Sequence, residues 1–82
     1  MTAKNNTKTI QPVIVVYMQI VNHEQYVDVF NFCNLTFGRR CWKVNELDLT
    51  HRWAATIHGT GSDIVFRFLY NEDAVTFKLR WL

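Results

Sequence analysis

Trp53-Ala54-Ala55-Thr56-Ile57-His58-Gly59-Thr60-Gly61-Ser62-Asp63-Ile64-Val65-Phe66-Arg67-Phe68-Leu69-Tyr70 decides the fold class of this chain. Trp53, Ala55 and Ile57 alternate with Arg52, Ala54 and Thr56, and Ile64, Phe66, Phe68 and Tyr70 alternate with Val65, Arg67 and Leu69. A turn-forming run from Gly59 to Asp63 joins the two. Alternating apolar runs linked by a short Gly-rich loop predict a β-hairpin, and period-2 spacing makes one of its faces apolar and aromatic. A small sheet with such a face must be covered by something. No catalytic motif accompanies it.

Upstream, the run at residues 13–21 (Val-Ile-Val-Val-Tyr-Met-Gln-Ile-Val) is β-branched and nearly all apolar, which predicts a central strand buried on both faces. Ile14, Val16, Met18 and Ile20 form one unbroken apolar face, and Tyr17 and Gln19 bring polarity to the other. Asn22 then suits an N-cap with Gln25 completing a capping box, and Glu24 suits the positive end of a helix. Tyr26, Phe30, Cys33 and Phe37 recur at helical spacing with Val29 widening the stripe, and Gly38 stands where a terminating glycine belongs. Residues 41–49 predict a second strand with Trp42 and Val44 on one face, grading into a polar turn around Glu46 and Asp48.

The last segment, residues 71–82, supports two readings. Asn71 suits an N-cap, Glu72 and Asp73 suit a first turn, and Ala74, Phe77 and Trp81 share a helical face. Against this, Val75, Phe77, Leu79 and Trp81 alternate with Thr76, Lys78 and Arg80 as in a strand. The capping signals put the helix first. The expected architecture is α+β: a small antiparallel sheet in the order β-α-β-β-β-α with helices packed on it. Residues 1–11 are polar and read as a flexible arm, and residues 12–82 as a single domain.

Size and composition limit the possibilities further. A domain of 82 residues has a thin core, burying about 60–65% of its unfolded surface. Three Trp, three Tyr and six Phe offset that, because each large ring buries much area. The net charge of +2 is too balanced for polyanion binding by bulk electrostatics, although Arg39, Arg40 and Lys43 cluster. The polar start carries no secretion signal and the apolar run at 13–21 is too short to span a bilayer, so a cytoplasmic, reducing location is expected, with no membrane partner. The two cysteines, Cys33 and Cys41, are then expected to be free thiols, and the glycosylation-type triplet Asn34-Leu35-Thr36 carries no message.

The stretch from Val65 to Trp81, an aromatic strand running into Asp73-Ala74 and a Phe77-x-Leu79-x-Trp81 ending, resembles the C-terminal ends of small uncharacterised proteins from tailed bacteriophages. The resemblance covers about a fifth of the chain. It implies a viral origin, with the host cytoplasm as the place of action, and a helical tail. It brings no active site with it.

Three constellations carry chemistry. Cys33, Cys41, His51 and His58 are the soft metal ligands, but seven residues between the cysteines and six between the histidines fit no standard zinc arrangement. Neither a metal nor another cofactor is expected. Cys41 follows Arg39 and Arg40, whose charge favours a thiolate, yet no oxyanion-stabilising or orienting group is readable nearby, so no catalytic residue and no enzyme is expected. Arg39, Arg40, Trp42, Lys43, Arg52 and Arg67 interleave cations with rings, Trp53 among them, and form the candidate binding set.

The resulting expectation is a non-enzymatic accessory protein that binds a host or viral protein and modulates it, inhibition included. Homodimerisation through an open sheet face accompanies it. Alternatives are a nucleic-acid-binding module using an Arg/aromatic sheet face, and a minor virion component. For the nucleic-acid reading, Trp53, Phe66 and Phe68 would have to face outward, whereas the pattern turns them toward the helices.

Overall fold

The computed structural model describes residues 13–43, 46–58 and 62–82; the expected arm, Val44 and the centre of the hairpin loop lie outside them. Five elements follow in the order β1 (Ile14–Gln19), α1 (His23–Phe37), β2 (Trp53–His58), β3 (Asp63–Phe68) and α2 (Asn71–Trp81). The hairpin forms as expected, β2 and β3 pairing antiparallel with Trp53 opposite Phe68 and His58 opposite Asp63. On the other side of β3, β1 is also antiparallel, with Ile14 opposite Phe68 and Gln19 opposite Asp63. The sheet order is therefore β1-β3-β2. The domain is α+β.

Alternation divides the sheet into two faces. The rows Ile14-Phe68-Trp53, Val16-Phe66-Ala55 and Met18-Ile64-Ile57 carry the side that meets the helices. Trp53, Ile64, Phe66 and Phe68 are wholly buried there with Val29 and Cys33 of α1 and Ala74 and Phe77 of α2. Rings lock the layers together: Phe66 and Phe77 lie 4.6 Å apart, Phe37 and Phe68 5.3 Å, and Phe30 and Phe66 5.6 Å between centroids. The opposite rows are Val15-Arg67-Ala54, Tyr17-Val65-Thr56 and Gln19-Asp63-His58.

The α1 signals act as expected. The Asn22 side chain accepts from Gln25 N–H at 2.8 Å, and Gln25 Oε1 accepts from Val21 N–H at 2.8 Å, a reciprocal box that reaches one residue further back than Asn22 itself. Gly38 ends the helix at φ 91°, ψ −157°, a region that only glycine occupies without strain.

Three expectations are corrected. The described residues of the 41–49 stretch form no strand; the order is β-α-β-β-α, with Glu46 N–H donating to Lys43 O and Asp48 accepting from the backbone of Thr50 and His51. Local side-chain acceptors of this kind offer the backbone an alternative to a sheet ladder. Second, β3 and not β1 is the central strand: both helices pack on one face, so Val15 and Tyr17 of β1 stay exposed. Third, the tail is a helix, but Tyr70 is its N-cap; Asn71 is the first helical residue, and no side chain caps the start. An ion pair supports that end instead, Arg52 Nε lying 3.0 Å from Asp73 Oδ2.

Candidate functional site

After Gly38 the chain turns back along the outer edge of β2. Arg40 bridges to Trp53 in parallel sense, and Cys41 N–H donates to Trp53 O at 2.8 Å. This places the Arg40 side chain across the rim of the core. Its Nη2 donates to Ala55 O at 2.7 Å, and its guanidinium carbon sits 5.1 Å from the Phe30 ring centre and 4.1 Å from that of Trp42. Phe30 is a buried floor, whereas Trp42 is 77% exposed. Arg40 is thus clamped between a core ring and a surface ring.

Burial pulls the Arg40 pKa below its ordinary value, with Tyr26 pushing weakly the other way. The guanidinium remains charged at neutral pH because its starting value is so high. Its Nε is buried without a hydrogen-bond partner, and no carboxylate pairs with it among the described residues.

The neighbouring loop is held by its own bonds. Cys41 Sγ donates to Lys43 O at 3.0 Å, while Asp48 Oδ1 accepts from Thr50 N, Thr50 Oγ1 and His51 N at 2.8–2.9 Å. Those bonds hold the Asp48 carboxyl below its ordinary range. An open groove of about 440 Å³ lies between the two parts, with Arg39, Arg40, Trp42 and Lys43 on one side and Asp48 and His51 on the other.

Four of the six expected binding residues therefore come together: Arg39, Arg40, Trp42 and Lys43. The other two do not join them. Arg52 pairs with Asp73 at the start of α2, and Arg67 donates from the open sheet face to Thr56 Oγ1 at 3.2 Å. Trp53 is wholly buried, its indole N–H donating to Gly38 O at 2.7 Å.

A second groove, of about 480 Å³, lies on the open sheet face among Tyr17, Gln19, His58, Asp63, Val65 and Arg67. Tyr17 is 73% exposed there. The sequence signal for this face was the Tyr17/Gln19 polarity within an otherwise apolar strand.

The thiols and imidazoles are dispersed. Cys33 is enclosed in the core, where burial pushes its thiol up to about 12, so it is neither a nucleophile nor a ligand in waiting. His51 stands by Asp48 and Thr50, and His58 lines the open face. No three His, Cys, Asp or Glu groups gather as a metal site among the described residues. No described helix is long and apolar enough to cross a membrane.

Fold and surface together define a small α+β domain with a three-stranded antiparallel sheet, helices on one face and a clamped Arg-Trp pair at one edge. Compared with protein families, curated proteins and solved structures, the chain matches none of them.

Proposed function

We propose that this chain is a non-enzymatic accessory protein that docks on another protein and modulates it. The observation that carries the reading is the Trp42 indole, 77% exposed yet stacked at 4.1 Å on a guanidinium that is itself fixed to Ala55 O. A large ring held rigid before binding loses little entropy on contact, and Trp and Arg are the side chains most often found as interface anchors. Arg39 and Lys43 form the exposed polar rim around it. The resemblance of Val65 to Trp81 to phage proteins supports a viral source, with a host or viral protein as the partner and the host cytoplasm as the place.

A nucleic-acid module is less well supported. Stacking needs rings on the open face, and Trp53, Phe66 and Phe68 are spent in the core, leaving Tyr17 and the imidazole of His58 there among the described residues. The experiment is affinity capture from bacterial lysate with a tagged chain and its Trp42→Ala variant, nuclease-treated, at low and high salt. One protein recovered in stoichiometric amount at both salts, and lost with Trp42→Ala, is the expected result. Recovery that vanishes with nuclease or high salt overturns it in favour of nucleic acid.

A further inference from the structure

The two edges of the sheet are treated differently. The β2 edge is covered along its first half: Cys41 N–H occupies Trp53 O, and the Arg40 guanidinium occupies Ala55 O. The β1 edge has no such guard. Among the described residues β1 pairs only with β3, and Ile14–Gln19 (IVVYMQ) contains no Lys, Arg, Asp, Glu or Pro. Charged residues, prolines and covering loops are the usual devices that keep a free strand edge from pairing with another chain. Here the six residues of the strand hold no charge and no proline, and no loop among the described residues pairs with its free edge.

A second observation falls on the same side of the molecule. Ala74, Phe77 and Trp81 turn α2 inward, while Trp81 and Arg80 meet Phe32 of α1, and Asp73 meets Arg52. At 3.6 residues per turn the flank of α2 turned away from α1 holds Val75 and Leu79, and the C-cap Leu82 continues the same line. Leu79 is 84% and Leu82 70% exposed. Because α1 packs over β2 and β3, through Phe30 on Trp53 and Phe66, the flank away from α1 lies above β1. The unguarded strand edge and the apolar helix stripe therefore belong to neighbouring elements, since α2 packs on β1.

From this we infer that the surface is a twofold interface with a second copy of the chain: β1 pairs antiparallel with the partner's β1, and α2 packs against the partner's α2. The resulting sheet has the strand order β2-β3-β1-β1-β3-β2, with all four helices on one side. The charges select a second copy over a generic apolar partner. Glu72 near the start of α2 and Lys78 near its end are exposed, flank the stripe and have no ion-pair partner among the described residues. A twofold axis normal to the sheet runs the two α2 helices antiparallel. It sets the acidic start of each beside the basic end of the other and opposes their dipoles. One strand and one helix give an interface roughly 20 Å long and about 15 Å high, at the small end of specific interfaces, so the dimer depends on concentration. The surface excludes residues 39–43, so it stands or falls independently of the docking role proposed above.

Sedimentation velocity of the full chain over a concentration series tests this. Wild type should pass from monomer to dimer and no further, and amide exchange in β1 should slow as dimer forms. Leu79→Arg, at a side chain 84% exposed, should weaken the dimer at least about tenfold with unchanged circular dichroism. Glu72→Lys should weaken it too, and adding Lys78→Glu should restore it. Wild type that stays monomeric, a dimer indifferent to Leu79→Arg, or one lost only with Tyr17→Lys on the open sheet face would overturn the interface.

Discussion

The indole N–H of Trp53 donates to the carbonyl of Gly38 at 2.7 Å, so the first residue of β2 fastens the end of α1. The same ring is wholly buried, 5.9 Å from Phe30 and 6.5 Å from Phe66 between centroids. Trp53→Phe keeps an aromatic in the core but removes the bond and part of the volume. Its expected cost is about 2–3 kcal/mol, read from urea denaturation followed by circular dichroism. A loss below about 0.5 kcal/mol would mean that the helix end is held by other contacts.

Gly38 itself is constrained by its backbone and not by space. A Cβ there would meet nothing within 4 Å, but φ is 91°. Gly38→Ala is therefore expected to destabilise the domain by about 1–3 kcal/mol with no change in packing. Thermal unfolding measures this; an unchanged midpoint would show that the turn relaxes at no cost.

How much of this was readable beforehand depended on where the information lay. The hairpin was legible because alternation from Trp53 to His58 and from Ile64 to Phe68 is a local, period-2 signal. The α1 box of Asn22 and Gln25 was equally local. Residues 41–49 misled because Trp42 and Val44 alternate correctly for a strand, while the Asp48 acceptor that folds the segment into turns is a single side chain. The central position of β3 was invisible in β1, whose apolar run reads the same at an edge as in the middle. Sheet order is a long-range property and composition does not encode it. Of the candidate site, the run from Arg39 to Lys43 was legible as a cluster in sequence, but the clamping of Arg40 on Phe30 depends on two elements meeting.

Arg52 and Asp73 join the start of β2 to the first turn of α2 through two bonds, at 3.0 and 3.3 Å. Their side chains are 33% and 13% exposed, so solvent screens the pair only in part. A double-mutant cycle with Arg52→Ala and Asp73→Ala should give a coupling of about 1 kcal/mol. Additive single effects would reduce the pair to a bystander.

The core thiol gives a pH dependence with a definite sign. Cys33 is raised from an ordinary value of 9.0 to about 12 by burial. Between those values the unfolded chain loses the proton that the folded chain keeps, so unfolding is favoured as pH rises. The contribution is intact below pH 9 and disappears as pH climbs toward 12. Urea midpoints for wild type should fall over that window more steeply than for Cys33→Ala, which lacks the group. Equal slopes in the two proteins would show that Cys33 is not the source.

Arg40 links the core to the surface, which lets stability and binding be separated. Arg40→Ala strips the donor from Ala55 O and the support from Trp42, and should cost about 1–3 kcal/mol. Trp42→Ala removes only an exposed ring and should change stability by no more than about 1 kcal/mol. Both variants should lose the captured partner. Arg40→Lys keeps the charge but not the planar group that fits between the Phe30 and Trp42 rings, so it should bind more weakly than wild type while the loop charge is unchanged. Denaturation curves and capture yields for the three variants, taken side by side, measure this. If capture followed stability alone, with Trp42→Ala binding as wild type does, the exposed indole would be no anchor and the docking surface would have to lie elsewhere on the domain.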